Sequence, residues 1–328
     1  MVGQPFVLAP ACLCFILALG HLVPAIAQTS SSAPPHRVLE VGPTRAFNTP
    51  SAASQVAHDG DHIKIDAGEY TDCAVWRANN LVIEAIGGTA HMSGVTCADQ
   101  AIWLVAGNRT LIKGIVFSGA HSRANNGAGI KLIGSTMTVQ DSKFDHNENG
   151  ILIGPGERSY VLVVHSTFTG NGKCEPECAH GIYAGHIAQL RVLNCTFSHQ
   201  NVGHHIKSRA AATEIVGNRI EDGSDGTASF SIDLPNGGTA LIRQNYIQKG
   251  EKSENRLAMV SIGEEGGLLP SKGILIERNS FLNARPQLDA FIRNMAPDTP
   301  VRIAADNTFL GDGLKYKVVK RAPSPSSR

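Results

Sequence analysis

The sequence predicts an all-β solenoid, a single extended domain whose short coils stack on one another. The first observation is a repeat that reads apolar-x-apolar-x-x-[Asn/Ser]-x-[Phe/Ile], with closing bulky residues at Phe117, Phe144, Phe168, Phe197, Ile220, Ile247, Phe281 and Phe309. The second is the period, since the intervals are 27, 24, 29, 23, 27, 34 and 28 residues. Such a period, carried by short β-rich segments, is typical of units that bury their apolar faces only by stacking.

Composition agrees with one β-rich domain. The chain has 328 residues, 42% apolar residues, 5% aromatic residues and 34 glycines, which suits a sizeable core made of thin β layers. Its net charge of +1 excludes a globally charged surface, and no basic stripe with aromatics is present. We therefore expect no nucleic-acid partner, and any recognition of a polyanion must be local.

Each repeat is expected to contribute two strands. Ahead of the bend, two alternating positions are apolar or small in nearly every copy and should point inward. These pairs are Met137/Val139, Val161/Val163, Leu190/Val192, Thr213/Ile215, Ala240/Ile242 and Ile274/Ile276. A second strand, usually preceded by Gly, follows in segments such as GAGIKLIG at 127–134 and GHHIKSRA at 203–210.

A polar position recurs two residues before every closing Phe or Ile from Phe144 onward. Its side chains can hydrogen-bond to their copies in neighbouring coils and satisfy buried amides of the bend. They are Ser142, Ser166, Cys195, Asn218, Asn245, Asn279 and Asn307. The sequence therefore predicts an internal stack of Asn side chains.

The segment before the first repeat is predicted to cap the solenoid. Residues Pro50 to Ala57 fit a short amphipathic helix, and Asp59-Gly60-Asp61 turns the chain into a strand at Ile63 to Ile65. A terminal coil needs a cover of this kind because its apolar face otherwise meets water.

The two ends of the chain differ in composition from the repeats. Residues 6–27 are mostly apolar and end in Ala25-Ile26-Ala27, so residues 1–27 are predicted to be a cleaved signal peptide and 28–36 a linker. An exported chain would be secreted or periplasmic, without membrane contact after cleavage. No Lys or Arg precedes the run, which is just long enough to span a bilayer, so a membrane anchor is the alternative. The tail, residues 315–328, is predicted to be disordered.

Five cysteines follow the predicted signal peptide: Cys73, Cys97, Cys174, Cys178 and Cys195. In an oxidising compartment, Cys73 with Cys97 and Cys174 with Cys178 are the natural disulfide pairs. Cys195 occupies the polar stack and is expected to be a buried free thiol. An alternative takes Cys174, Cys178 and His180 as zinc ligands, but export favours disulfides and a fourth ligand is not evident.

The repeat and the capping segment together resemble the right-handed parallel β-helix (pectate-lyase-like) superfamily over about residues 37–312. The resemblance implies one right-handed parallel β-helix domain, predicted at 37–314, with about nine or ten coils by the period. Members are mostly secreted proteins that act on acidic polysaccharides as lyases, hydrolases or C5-epimerases, and some only bind glycans. Their sites lie on the outer face of one sheet, which makes outward side chains the functional candidates.

Distinctive polar residues concentrate in consecutive coils. In GHHIKSRA, placing Ile206 inward sends His205, Lys207 and Arg209 outward on one strand, while His204 alternates to the inward side. The same alternation, with coils about 4.8 Å apart, predicts further outward residues at Tyr183, Ser231, Asp233, Ser261 and Glu265. The predicted substrate-binding residues are Lys131, Ser231, Asp233 and Glu265.

This cluster fits the cleavage of a uronate polymer by β-elimination. The reaction needs a group that neutralises the carboxylate, a base for the acidified proton and an acid for the leaving oxygen. Lys207, crowded by neighbouring cations, is the predicted base. Arg209 can clamp the carboxylate, and Tyr183 or His205 is the predicted acid.

Calcium is the one cofactor in this hypothesis, with Asp233 and Glu265 as its candidate ligands. The resemblance supports these roles, because calcium is common among lyases of the superfamily and a Lys or an Arg is the base in some of them. The predicted protein is therefore an exported polysaccharide lyase that acts as a monomer on an acidic polysaccharide.

Several alternatives stay open. The cluster would be a surface salt-bridge ladder if Lys207 and Arg209 simply pair with Asp233 and Glu265. A C5-epimerase would use the same first half-reaction, although the Asp-Pro-His-Asp motif of the superfamily's epimerases is absent. A non-catalytic glycan-binding or envelope protein would use the cationic strip for affinity alone. A polygalacturonase-type hydrolase is disfavoured because its adjacent Asp pair is missing.

Overall fold

The structure is a computed structural model that describes residues 36–266 and 268–320. The predicted signal peptide at 1–27, nearly all of the linker and the last eight residues of the tail lie outside the described residues. Within those that are described, the chain forms a parallel β-helix of about ten coils, which confirms the predicted fold.

The strands are short, and one helix, α1 at Pro50–Val56, precedes the regular coils. The first fifteen strands are Val38–Val41 (β1), His62–Tyr70 (β2), Ala74–Trp76 (β3), Val82–Ser93 (β4), Ala101–Val105 (β5), Thr110–Lys113 (β6), Ile115–Ser118 (β7), Ala128–Leu132 (β8), Thr136–Gln140 (β9), Lys143–Asp145 (β10), Asn149–Ile153 (β11), Gly156–Val164 (β12), Thr167–Thr169 (β13), Lys173–Cys174 (β14) and Cys178–Ala179 (β15). The remaining strands are Ile182–Ala184 (β16), Ile187–Leu193 (β17), Thr196–Ser198 (β18), Ile206–Ser208 (β19), Ala212–Val216 (β20), Arg219–Glu221 (β21), Ile232–Leu234 (β22), Thr239–Arg243 (β23), Tyr246–Lys249 (β24), Val260–Ile262 (β25), Ile274–Glu277 (β26), Ser280–Asn283 (β27), Ala290–Asn294 (β28), Val301–Ile303 (β29), Thr308–Leu310 (β30) and Leu314–Val318 (β31).

Two long parallel sheets form the walls of the solenoid. One sheet takes a single strand from each coil, in the order β3-β5-β8-β11-β16-β19-β22-β25-β28-β31. The other contains the nineteen strands that make up the remaining walls. A short antiparallel pair, β14 with β15, belongs to an excursion from the coil.

The closing Phe and Ile positions stack in register, as the repeat predicts. Phe117, Phe144, Phe168 and Phe197 face one another on adjacent strands, with ring centroids 5.3, 4.7 and 4.6 Å apart. All four are fully buried. Each such ring contributes about 1.5–3 kcal/mol by leaving water, which is how the coils are held together without a conventional globular core.

The predicted polar stack is confirmed, and it is a hydrogen-bonded ladder. Asn218 Nδ2 donates to Asn245 Oδ1 at 2.9 Å, and Asn245 Nδ2 donates to Asn279 Oδ1 at 2.9 Å. The same amides also accept backbone N–H groups of the preceding coil, as Asn245 Oδ1 does from Asn218 N at 2.9 Å. The bend amides that the fold buries are thus satisfied by side chains.

Asn245→Ala is expected to destabilise the chain by about 2–4 kcal/mol, because the amide and carbonyl partners it leaves behind stay buried and unsatisfied. Urea unfolding followed by circular dichroism measures the loss. Gln189→Ala is the matched control, since Gln189 is half-buried on β17 and its side chain has no hydrogen bond among the described residues. Equal stabilities of the two variants would contradict a structural role for the ladder.

The N-terminal cap forms as predicted. Thr49 accepts a hydrogen bond from the Ala52 N–H at 3.3 Å, Pro50 begins the helix, and Ala53 is fully buried. The helix ends at Val56, one residue before its predicted end. No helix in the described ranges has the length and apolar character needed to cross a membrane.

Both predicted disulfides are present, Cys73–Cys97 and Cys174–Cys178. The zinc alternative is therefore wrong, because both of its sulfur ligands are bonded to each other. Cys195 is a buried free cysteine, as expected from its place in the polar stack. Burial raises the pKa of its thiol to about 12, so the sulfur stays protonated and inert.

The predicted start of the disordered tail is wrong by several residues. Residues 315–318 belong to β31, which pairs with β28 and closes the ten-stranded sheet. Tyr316 packs against the core, and Lys317 Nζ lies 2.8 Å from Asp289 Oδ1. The repeat is lost there, but the alternation of Tyr316 with charged neighbours still suits a terminal strand.

Candidate active site

The candidate site lies on the outer face of the ten-stranded sheet, where successive coils place one residue each at the same register position. From β8 to β28 this outer row consists of Lys131, Leu152, Tyr183, Lys207, Asp233, Ser261 and Arg293. The neighbours of Lys207 on β19, Ile206 and Ser208, are buried. Strand alternation therefore turns the row outward.

Lys207 and Tyr183 of this row form a connected cluster with Arg209 and Glu265. Lys207 Nζ lies 2.9 Å from Glu265 Oε1. Arg209 holds the same carboxylate with two nitrogens, one of them Nε at 2.7 Å from Oε2, and its Nη1 donates to the Tyr183 hydroxyl. The guanidinium carbon lies 4.9 Å from the Tyr183 ring centroid. These four predicted site residues are brought together, while the catalytic roles of Lys207, Arg209 and Tyr183 and the binding role of Glu265 stay predictions.

Glu265 is held as an anion. Partial burial would raise the pKa of its carboxyl, but the hydrogen bonds from Arg209 and Lys207 outweigh burial and lower that pKa to about 2. Two cations thus share one permanent anion. While the nearby Asp233 carboxyl is protonated, a second carboxylate, supplied by a ligand, can be accommodated without leaving the cluster negative.

Asp233 is what distinguishes this site from a surface salt-bridge ladder. Its side chain is only 2% exposed, and Oδ2 lies 3.4 Å from both Lys207 Nζ and His204 Nε2. Its Oδ1 has no hydrogen-bond partner among the described residues. Burial raises the pKa of Asp233 to about 7, although the Lys207 ammonium opposes the shift. A solvated ladder has no such carboxyl, whereas acid-base sites often do.

His204 belongs to the site, although strand alternation placed it inward. Its ring stacks on that of His180, with centroids 4.7 Å apart. Nδ1 of His204 accepts the Phe230 N–H at 3.1 Å, and Nδ1 of His180 accepts the His204 N–H at 3.0 Å. An accepting Nδ1 needs its lone pair, so both rings are neutral with the proton on Nε2. Burial agrees, since it lowers the pKa of His204 to about 3 and that of His180 well below its usual value.

His205 was predicted to face outward as a catalytic residue, and this prediction is wrong. The residue is 0% exposed, its Nε2 lies 2.8 Å from Asp222 Oδ1, and its ring meets Phe197 edge-on. The prediction applied the in-out alternation of a strand to one residue too many, because β19 begins only at Ile206. Ahead of that residue the chain bends, so His205 and Ile206 both point inward and His205 cannot reach a substrate.

The prediction that Ser231 faces outward is wrong for the same reason. It precedes the start of β22 at Ile232 and is buried, and its hydroxyl has no partner among the described residues. It cannot bind a substrate directly. Ser261 does lie in the outer row but is covered, because its Oγ and Arg293 Nη1 both contact Glu264 Oε1, at 3.0 and 2.7 Å.

Two pockets flank Tyr183 on this face. The first, of about 440 Å³, is lined by residues that include Lys131, Tyr183 and Arg209. The second, of about 380 Å³, is lined by residues that include Tyr183, Asn126 and Glu177. Lys131, a predicted substrate-binding residue, thus lies within reach of the same space as Arg209. Burial lowers the pKa of Lys131, and no charged neighbour contributes to that shift.

The described residues contain no group of three or more His, Cys, Asp or Glu side chains placed to hold a metal ion. The predicted calcium ligands, Asp233 and Glu265, both contact the Lys207 ammonium. Calcium at this position would have to displace that ammonium from both carboxylates.

Asp233→Asn is expected to stabilise the folded chain at pH 8. The pKa of Asp233 rises from its ordinary 3.8 to about 7 on folding, so the stability it confers is complete below pH 4 and is lost as the pH rises through 7. At pH 8 the ionised group costs about 4 kcal/mol at most. Urea unfolding should show a higher midpoint for the variant at pH 8, with most of the difference gone at pH 4.

The exposed Asp312 provides the control for this prediction. Asp312→Asn removes the same charge from the surface and should leave the midpoint unchanged at both pH values. A midpoint for Asp233→Asn that is unchanged or lower at pH 8 would show that the carboxyl is not held in a costly environment.

Solved structures confirm the fold. The A-module of the Azotobacter vinelandii mannuronan C-5 epimerase AlgE4 matches with a TM-score of 0.51 at 11% identity, over 84% of this chain and 92% of that one. Pectin methylesterase PemA from Erwinia chrysanthemi gives 0.44 at 11% identity, covering 85% and 94%. Pectate lyase Pel9A gives 0.44 at 13%, covering 89% and 82%. At such identities the first match establishes the parallel β-helix and nothing about activity.

Comparison with protein families adds a relationship at the level of sequence. No curated protein sequence matches the chain significantly. A family described as periplasmic copper-binding protein (NosD) matches residues 54–289, well over half of the chain. The matched segment contains Tyr183, Lys207, Arg209, Asp233 and Glu265. The chain therefore belongs to the NosD family.

Proposed function

We propose that this chain is an exported enzyme that cleaves a uronate-containing polysaccharide by β-elimination on the face formed by Tyr183, Lys207 and Arg209. The observation that carries the proposal is the buried Asp233 carboxyl, 3.4 Å from the Lys207 ammonium and with a pKa raised by burial to about 7. Near neutral pH such a carboxyl can take up the proton that Lys207 gives away. The pair then supplies a base where the polymer binds.

Binding begins with the carboxylate of the uronate. Arg209 and Lys131 line the same pocket, and no carboxylate is found in its lining. Arg209 can exchange Glu265 for the carboxylate of the substrate, since both make the same two-pronged contact. Neutralising that carboxylate acidifies the proton on C5 of the sugar, which is the proton to be removed.

Elimination then follows with three proton movements. Lys207 passes its proton to Asp233 and takes the C5 proton, and the electron pair of the C5–H bond forms the C4=C5 double bond. The C4–O4 bond breaks, and Tyr183 gives its proton to this oxygen, which leaves as the C1 hydroxyl of the neighbouring sugar. The Tyr183 oxygen already accepts a hydrogen bond from Arg209, and its own O–H donates to no partner among the described residues, which leaves it available for this step. Exchange with water restores Tyr183 and Asp233.

Export is supported by two independent features. The NosD family is described as periplasmic. The disulfides Cys73–Cys97 and Cys174–Cys178 need an oxidising compartment to form and persist.

Copper, which the family description names, does not fit the donors that the described residues offer at this site. Thiolate, thioether and imidazole groups favour copper. In the described ranges Cys195 is the one cysteine outside a disulfide, and it is buried in the polar ladder. The Nδ1 atoms of His180 and His204 are already bonded to backbone N–H groups.

The direct test mixes the purified mature chain with pectate, alginate, glucuronan and glycosaminoglycans, with and without Ca²⁺. Ultraviolet absorbance of unsaturated uronate ends is followed over time. A rise in absorbance with at least one polymer is expected. Comparing the assays with and without Ca²⁺ shows whether the activity depends on calcium, for which Asp233 and Glu265 are the candidate ligands. A flat trace with every polymer would contradict the proposal.

The rate should also depend on pH in a defined way. Below about pH 7 the Asp233 carboxyl is protonated and cannot accept the Lys207 proton, so kcat/KM should fall about tenfold for each unit of pH. Asp233→Asn should lose most of the activity and, with it, this acidic limb. If the fall in kcat/KM at acidic pH stays at the same pH in the variant, it belongs to the titration of another group.

A non-catalytic glycan-binding role is the second candidate. It is favoured by the low exposure of the Lys207 side chain, 13%, and by the pairing of both cations with Glu265. In that case affinity should fall in steps as Lys207 and Arg209 are removed one at a time, and no new unsaturated ends should form.

A further inference from the structure

The two pockets beside Tyr183 differ in charge. The first pocket contains two cations, Lys131 and Arg209, and no carboxylate. The second contains one carboxylate, Glu177, and no Lys or Arg. A polymer with a uronate at every position would present a carboxylate to each of them. Such a polymer suits the first pocket and is repelled from the second.

The second pocket is enclosed by two excursions from the regular coil. One is the loop before β8, which contributes Asn126, and the other is closed by the Cys174–Cys178 disulfide and contributes Pro176 and Glu177. The excursions are joined, because Asn125 Nδ2 donates to the Glu175 carbonyl at 2.7 Å. The wall that carries Glu177 is therefore tied both covalently and by a hydrogen bond.

The lining of this pocket suits a neutral sugar. Among the residues that the structure describes, the Glu177 carboxylate and Asn126 Nδ2 have no hydrogen-bond partner, whereas Asn126 Oδ1 accepts from Ser122. Sugar hydroxyls can donate to the carboxylate and accept from the amide. Leu152 and Pro176 add apolar surface for a ring face or an acetyl methyl group.

The position of Tyr183 relates the two pockets to each other. Tyr183 and Leu152 line both, and the pockets lie toward opposite ends of β11, with Asn149 in the second and Gly154 in the first. A polymer that fills both pockets therefore crosses the sheet along its strands, and the glycosidic oxygen between the two sugars comes to Tyr183.

We infer that the substrate alternates, with a uronate in the Lys131 and Arg209 pocket and a neutral sugar in the Glu177 pocket. The inference rests on the proposed function and names its substrate class. The bond that breaks joins O4 to C4 of the uronate. The neutral sugar leaves with O4 and the proton from Tyr183, and the uronate keeps the new C4=C5 double bond.

The test compares size-matched oligosaccharides in the ultraviolet assay. One set alternates glucuronate with N-acetylglucosamine linked to its O4, and the other contains glucuronate alone. We expect kcat/KM to be at least about tenfold higher for the alternating set, the factor that about 1.4 kcal/mol of discrimination gives. Equal or faster cleavage of the pure glucuronate set would overturn the inference and leave the lyase standing.

Turnover of neither set would count against the proposed function instead. In that case the affinities of the same oligosaccharides for the unmodified chain, measured by calorimetry, test the inference independently of catalysis. Tighter binding of the alternating set would uphold the pocket assignment, and equal or weaker binding would overturn it.

Glu177→Lys is expected to reverse the preference, because cations in both pockets accept a uronate in each. The ratio of kcat/KM between the two sets should fall at least about tenfold. Glu175→Lys is the matched control, since it makes the same charge change in the same excursion but outside the pocket lining. If both variants shift the ratio equally, the effect comes from the overall electrostatic potential of the surface, and the pocket assignment is wrong.

Discussion

Lys207→Ala is expected to lower kcat roughly a thousandfold on the polymer that the chain cleaves, within the range that removing a general base produces. Lys207 lies in the outer row and contacts both Asp233 and Glu265. Arg209 and Tyr183 stay in place, so KM should change much less than kcat. Initial rates from ultraviolet absorbance, with melting curves to verify folding, measure the effect.

Lys207→Arg separates a base from a mere positive charge. The guanidinium keeps the charge beside Glu265 but does not give up its proton at the pH of the assay. A base at this position predicts that the arginine variant is nearly as inactive as the alanine variant. Retention of most of the activity would mean that Lys207 acts electrostatically and that another group removes the C5 proton.

Arg209→Lys should lower kcat/KM about a hundredfold, through both KM and kcat. A lysine ammonium is a point charge, so it cannot make the two-pronged contact that Arg209 makes with Glu265 and is proposed to make with the uronate. It also leaves the Tyr183 hydroxyl without its donor, which disturbs the proposed acid. Steady-state kinetics on one polymer give both constants.

The control for Arg209→Lys is Arg191→Lys. Arg191 pairs with Glu214 at 2.6 Å, but it lies on the nineteen-stranded sheet, away from the candidate site. Its replacement should leave kcat/KM unchanged. Equal losses in the two variants would point to a general destabilisation of the solenoid.

The fold could be predicted from the sequence because its stabilising contacts repeat locally. The repeats from Phe117 to Phe309 place a Phe or Ile at the same point, and all but the first add a polar bend residue. The Phe117 to Phe144 contact and the Asn245 ladder are therefore consequences of spacing alone. The same holds for the cap, where Thr49 and Pro50 carry their own helix-start chemistry. The tail boundary was missed because β31 lacks the repeat and is held by its pairing with β28, by the packing of Tyr316 and by the Lys317 contact with Asp289.

The site could be predicted only as far as strand alternation holds. Lys207 and Asp233 lie within regular strands and were placed correctly in the outer row. His205 and Ser231 lie just before strand starts, where a bend that spacing does not reveal turns them inward. His204 was missed for the same reason, although the adjacent histidine pair in GHHIK marked the point where the register was ambiguous.

The sequence repeat gives no indication of the pocket that contains Glu177. Its walls are excursions whose contact, between Asn125 and Glu175, joins residues from different coils. Burial of Asp233 is likewise a property of the assembled cluster, in which Lys207 Nζ and His204 Nε2 both lie 3.4 Å from its Oδ2. Such contacts depend on loop conformation, which neither period nor alternation encodes.

Proton NMR of a digest in deuterated water tests the central claim most directly. β-Elimination predicts a vinylic C4 proton on a new terminal uronate, formed in step with chain cleavage and absent from a Lys207→Ala digest. An uncleaved polymer that acquires deuterium at C5 with inverted configuration would identify an epimerase, and new ends that stay saturated would identify a hydrolase. Either result would contradict the account.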